Sequence, residues 1–130
     1  MRPFEWEKFY DVGNHLNNYS KDEAYQRSAI GRYYYSCYGS VKSYYEKSYR
    51  KKLSTTDDPH ITLIDILMKS PFVEEQRLGK TLKTLRYNRN YADYRSKKLN
   101  KTITSQSKKC AEEIFIMLDK LYKHPLRLMN

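Results

Sequence analysis

Two cysteines, four glycines and four prolines in 130 residues leave this chain short of the residues that staple, bend and interrupt a backbone. Cys37 and Cys110 form no C-x-x-C pair, so neither a zinc site nor a redox motif is indicated, and both fall in helical patterns as small buried hydrophobes. His15, His60 and His124 have no ligand-like spacing to one another or to a pair of carboxylates. No metal site and no cofactor are expected. The scarcity of glycine and proline leaves little room for a turn-rich β fold. The longest apolar run, IFIML at 114–118, is far too short to span a bilayer. The stretch MRPFEWEKF mixes charges with aromatics and lacks the apolar core of a signal peptide, so a cytoplasmic protein without membrane attachment is the expectation.

What the chain has is tyrosine and positive charge. Hydrophobic residues reach only 39%, but 14 tyrosines supply burial that aliphatic side chains would otherwise provide. Each buried phenol also needs a polar partner for its hydroxyl. The length fits a single domain over 1–130 with a core of its own. The formal charge is +10, and it is concentrated: residues 77–109 hold eleven lysines and arginines against Asp93 alone, an excess that equals the charge of the whole chain. Such a concentration is the electrostatic footprint of a polyanion binder, whether RNA, DNA or an acidic protein; solvated helix faces are the plainer alternative.

Helix punctuation is readable throughout. A first helix over about 4–18 places Phe4, Phe9, Val12 and Leu16 on an apolar side. Ser20 and Glu23 have capping-box spacing ahead of a long helix from about Lys21 to Lys52. Its stripe reads Ala29, Tyr33, Cys37, Val41 and Tyr44. Gly31 and Gly39 inside it each cost about 1 kcal/mol against alanine, a loss that close approach of another helix would offset. KLSTTDD at 52–58 is a linker. Asp58-Pro59 is an N-cap followed by proline at the first helical position, opening a short helix through Ile61, Ile64 and Leu67. Ser70-Pro71 repeats that signal for a fourth helix reaching about Asp93, with Glu74 and Glu75 at its positive end. RSKKLNK at 95–101 is a loop. A last helix from near Thr104 carries Ala111, Ile114, Phe115, Leu118, Leu121 and Tyr122 on one side. Four or five helices with short loops and no strand pattern predict an all-α antiparallel bundle.

One stretch stands out chemically: LRYNRNYADY, 85–94. Leu78, Leu82 and Leu85 form a buried stripe, and at about 100° per residue Arg89 and Ala92 continue it. An arginine on an apolar face must be paired, because an unpaired buried charge is costly. Asp93, four residues on, can pair with it. Alternatively the stripe opens into a cleft, at a dimer interface, where the guanidinium meets phosphate in the bidentate geometry that suits it. Arg86, Asn90 and Asp93 fall along one helix side and could support Arg89 or form a solvated face. Arg27 and Arg32 fit salt bridges or the surface better than phosphate contacts. The RYYY run at 32–35 points in three directions on a helix, which favours packing over base stacking.

Two segments together resemble the HEPN family. EAYQRSAIGRYYYSCYGSVKSYY (23–45) is similar to the alanine-, arginine- and tyrosine-rich early helix of HEPN domains, and LGKTLKTLRYNRNYADY (78–94) to their motif helix. The likeness runs from Trp6 to Leu121, including helix order and the basic loop after ADY. It implies a helical bundle that dimerises through its motif helices. Many members are metal-independent ribonucleases, often toxins of toxin–antitoxin or defence systems; others are noncatalytic modules that bind RNA, nucleotides or a partner nucleotidyltransferase. By this resemblance Arg89 matches the motif arginine and Asn90 the polar residue behind it. Tyr94 stands where the family has histidine.

That departure bears on chemistry. Metal-free RNA cleavage needs a base for the 2′-hydroxyl proton, an acid for the leaving oxygen, and positive charge at the phosphate. Arginine supplies the last. Tyrosine, with an ordinary pKa near 10, is a poor base at neutral pH, though it can donate a proton or orient phosphate. His60 reaches this helix only through folding or across a dimer. The expected site is therefore Arg89, Asn90 and Tyr94, supported by Asp93 and Arg86, with Lys83, Arg86, Arg95, Lys97 and Lys98 holding nucleic acid.

Overall fold

The computed structural model describes residues 5–54 and 58–126. Among them are five α-helices and no strand: α1 (Lys8–Tyr19), α2 (Glu23–Tyr49), α3 (Pro59–Met68), α4 (Val73–Tyr94) and α5 (Lys101–Lys123). The chain is all-α, as its patterning predicts. The long α2 is the hub. It packs against α1, α4 and α5, while α3 rests on α4, and α4 on α5. No helix among the described residues is long and apolar enough to cross a membrane.

The α2 stripe is buried as its period requires: Ala29, Tyr33, Cys37, Val41 and Tyr44 are all in the core. Tyrosine works here because the deep rings of Tyr33, Tyr34 and Tyr44 find partners for their hydroxyls. Tyr33 donates to Asn14 Oδ1 at 2.7 Å and Tyr10 to Glu112 Oε2 at 2.9 Å. The RYYY run splits accordingly. Tyr33 and Tyr34 are fully buried, and only Tyr35 keeps an exposed edge. Cys37 and Cys110 are free and buried, serving as small core residues.

Several helix ends differ from the pattern, each for a local reason. The expected start of the first helix at Phe4, and Thr55, Thr56 and Asp57 of the linker, lie outside the described residues. Val12 is 43% exposed; α1 instead turns Tyr10, Gly13 and Leu16 inward, because Gly13 lets the helix settle on the Tyr33 ring. The capping box is not made: Asp22, not Ser20, is the N-cap of α2, and it makes no side-chain cap. Ser20 Oγ accepts from Asp22 N at 3.0 Å, but Glu23 turns away to the Leu99 backbone N–H and Arg27. Asp58 caps α3 as predicted, accepting from His60 N and Ile61 N with Pro59 in the first turn, yet Ile61 is exposed and Leu63 is buried in its place. α4 begins at Val73, after Ser70 Oγ has accepted from Phe72 N at 3.1 Å. α5 begins at Lys101 because Asn100 Oδ1 takes the Thr102 N–H at 3.0 Å. Tyr122 of α5 is half-exposed.

Of the two α2 glycines, only Gly39 is explained by close approach. A Cβ there would stand 2.0 Å from the Trp6 ring, whereas one at Gly31 would meet nothing within 4 Å. The neighbour is the segment leading into α1 rather than a helix. Gly39→Ala should therefore destabilise the protein despite alanine's helix preference of about 1 kcal/mol, because the ring must leave its seat. Trp6 is the one tryptophan of the chain, so a red shift of its fluorescence reports the displacement. An unshifted spectrum with raised stability would contradict this account.

Candidate functional site

The last turns of α4 form one wall of a cleft of about 520 Å³, lined by Arg86, Tyr87, Arg89, Asn90, Tyr91 and Tyr94 with Asp58, His60 and Arg95. Arg89 continues the Leu78–Leu82–Leu85 stripe at the point where the core ends, and its side chain is only 15% exposed. All three guanidinium nitrogens have neighbours. Nε lies 2.8 Å from Asp93 Oδ2. The N–H is not aimed at that oxygen, so the contact is an ion pair without an aligned hydrogen bond. Nη1 donates to Asn90 Oδ1 at 3.1 Å and Nη2 to the Tyr35 hydroxyl at 2.6 Å. Rings of Tyr35, Tyr34 and Tyr94 lie around it, with centroids 5.1, 5.7 and 5.8 Å from Cζ. Arg89 is thus paired with Asp93 and also sits in the wall of a cleft within one chain.

Arg86 does not support Arg89. Its Nη2 donates to Asp58 Oδ2 at 3.2 Å, and its Nε is buried with no hydrogen-bond acceptor among the described residues. Asp58 thereby ties the start of α3 to α4. Burial works against its ionisation, but the His60 and Ile61 backbone N–H groups, with Arg86 beyond them, prevail and hold its carboxyl below the ordinary value.

His60, which sequence spacing leaves isolated, is brought into this cleft within one chain. Its ring stacks on Tyr38 with centroids 3.9 Å apart, and Nδ1 lies 2.5 Å from the Tyr34 hydroxyl. Burial lowers its pKa below the ordinary histidine value; Asp58 opposes this, and Arg89, Arg86 and Lys42 add to it. Burial likewise raises the pKa of Tyr34, which therefore keeps its proton. The direction of this bond depends on the ring's tautomer; with the phenol as donor to Nδ1, the neutral ring carries its hydrogen on Nε2. That Nε2–H has no protein acceptor among the described residues.

Tyr94 is 74% exposed, and its hydroxyl makes no hydrogen bond among the described residues. Of the residues expected to hold nucleic acid, Arg86 and Arg95 line the cleft, while Lys83, Lys97 and Lys98 lie exposed outside it. The end of α4 is fixed by a residue whose part could not be read from periodicity. Arg27 of α2 donates through Nη1 to Ala92 O and Arg95 O, both at 2.7 Å, and to Tyr91 O at 3.3 Å. Its Nη2 donates to Lys97 O at 2.7 Å and pairs with Glu23. It gathers the carbonyls that a helix end leaves unsatisfied. The Leu99 N–H also lowers the pKa of Glu23, more than Arg27 does. Arg32 instead lies over the Phe9 ring, 5.3 Å from its centroid. Asn88 links α4 to α5 through Gln106 and Ser107, both at 3.1 Å.

No cluster of His, Cys, Asp and Glu among the described residues could hold a metal ion. Searches of family models, curated proteins and solved structures returned no match to this chain.

Proposed function

We propose that the protein is a HEPN-like RNA-binding domain that holds the phosphodiester backbone of single-stranded RNA in the α4 cleft. The observation that carries this reading is Arg89, held at the cleft wall by Asp93, Asn90 and Tyr35. A guanidinium so fixed loses little further freedom on meeting a phosphate oxygen. Arg86 and Arg95 stand in the same cleft. Tyr87 and Tyr94 are 63% and 74% exposed at its rim, as base-stacking platforms would be. Single strands suit such a site, because only unpaired bases can be laid against aromatic rings. Pairing of two chains through their α4 helices, and a partner antitoxin or nucleotidyltransferase in a defence or toxin–antitoxin system, belong to the same reading through the family resemblance.

A second reading, metal-independent endoribonuclease, is favoured by the imidazole of His60 in the cleft. Exposed Tyr94 gives it no support as a base. Both readings are tested with wild type and Arg89→Ala in EDTA. Wild type should bind a labelled RNA oligonucleotide with an affinity that falls steeply with salt, and Arg89→Ala should bind at least about tenfold more weakly. Arg95→Ala, at an exposed residue whose guanidinium lies over the Tyr91 ring, should reduce the salt slope by about 0.7 for one lost phosphate contact. Salt-independent or undetectable binding by wild type would dismiss the RNA reading. Cleavage of mixed cellular RNA by wild type, lost in Arg89→Ala, would establish the second.

A further inference from the structure

We infer that His60 is a phosphate ligand of the α4 cleft, its Nε2–H meeting a phosphodiester oxygen beside Arg86 and Arg89 and its ring taking up a proton when the phosphate arrives. The inference rests on the RNA reading above and specifies which group of the site responds to pH.

Three observations place His60 in this role. First, its orientation is fixed from two sides. Tyr38 stacks on one face at 3.9 Å between centroids, and the Tyr34 hydroxyl holds Nδ1 at 2.5 Å. A ring held so presents its remaining nitrogen in a set direction, and His60 lines the same cleft as Arg86 and Arg89. Second, Nε2 has no hydrogen-bond partner among the described residues, whereas Nδ1 is engaged by the Tyr34 hydroxyl. Third, the surroundings supply more positive than negative charge. On α4 stand Arg86 and Arg89, and on α2 stands Lys42, with Asp58 at the start of α3 as the opposing carboxylate. Tyr34, Tyr35 and Tyr38 complete the facing groups. Burial and these cations keep the free ring neutral.

A phosphodiester carries a single negative charge that does not titrate in this range. Placed against Nε2–H, it offsets the arginine field and favours the imidazolium; the added proton sits on Nδ1, and the Tyr34 hydroxyl turns from donor to acceptor of that N–H. The pKa of His60 is thus higher with phosphate bound than free. By linkage, the extra affinity is fully present below the free-ring pKa, which lies under the ordinary 6.5, and is lost as pH rises through the bound-state pKa.

The experiment measures binding of a fluorescein-labelled RNA oligonucleotide to wild type and His60→Gln between pH 5.5 and 8 at constant ionic strength. Wild-type affinity should rise about five- to tenfold from pH 8 to pH 5.5, which requires a pKa change of about one unit or more. His60→Gln should show a flat profile between pH 5.5 and 8. A second arm needs no substitution: the His60 ring resonances are titrated by NMR with and without dimethyl phosphate. Their midpoint should move to higher pH when the phosphodiester is present. Retention of the full pH dependence by His60→Gln would overturn the inference, as would a midpoint unmoved by dimethyl phosphate. If wild type binds no RNA at any pH but the midpoint moves, the RNA reading fails while the phosphate site stands.

Discussion

Glu75→Ala should lower the stability of the fold by about 3–5 kcal/mol, a loss in the range set by unsatisfied polar groups in a core. Glu75 is completely buried. Its carboxyl group accepts from the Tyr44 hydroxyl at 2.6 Å, the Tyr49 hydroxyl at 2.7 Å and the Ser70 hydroxyl at 2.6 Å. These donors come from α2 and from the turn ahead of α4, so one side chain joins the hub helix to the start of α4. Alanine would leave those hydroxyls without this acceptor and open a space where the carboxyl stood. Glu75→Gln keeps one acceptor oxygen but turns an amide NH2 toward a donor, and should fall between the two. Urea unfolding followed by helical circular dichroism measures the difference, and for a domain of this size the loss amounts to roughly 10–20 °C in Tm. A change below about 1 kcal/mol for the alanine variant would show that the hydroxyls find other acceptors.

Arg27→Ala should cost about 2–4 kcal/mol and weaken the RNA binding proposed for the cleft, although Arg27 does not line it. Its guanidinium serves four backbone carbonyls spread over Tyr91, Ala92, Arg95 and Lys97. Without it the last turn of α4 frays, and Asp93 loses its place against Arg89. Arg27→Lys should recover little, because an ammonium offers three donors from one atom and cannot span the same set. Denaturation and oligonucleotide binding, measured on the same samples, test the coupling. Unchanged stability with weakened binding would instead assign Arg27 a direct contact with the ligand.

The contrast between these two residues shows where the sequence was legible. Glu75 reads from local pattern as a charge at a helix's positive end, and Arg27 as one polar residue among many. Both owe their parts to residues between 5 and 70 positions away. The Leu78–Leu82–Leu85 stripe and the Asp58-Pro59 cap were legible because they depend on neighbours within one or two helical turns. Arg89 was singled out for the same reason, being a charge on an apolar face. His60 was not, since its place in the cleft is set by packing of α3 on α4 and by rings of α2. Val12 shows the converse: period alone put it inside, but the small Gly13 decided which side of α1 could come close to α2.

The exposure of Tyr94 has an evolutionary consequence. Its hydroxyl is tied to nothing described, and its ring lies against Arg89 with 74% of the residue open to solvent. Packing therefore places little selective restraint on the side chain at this position. Both tyrosine codons become histidine codons by one thymine-to-cytosine change at the first base. A lineage of this protein thus stands a single nucleotide from a second imidazole at the cleft, reachable without passing through a misfolded intermediate.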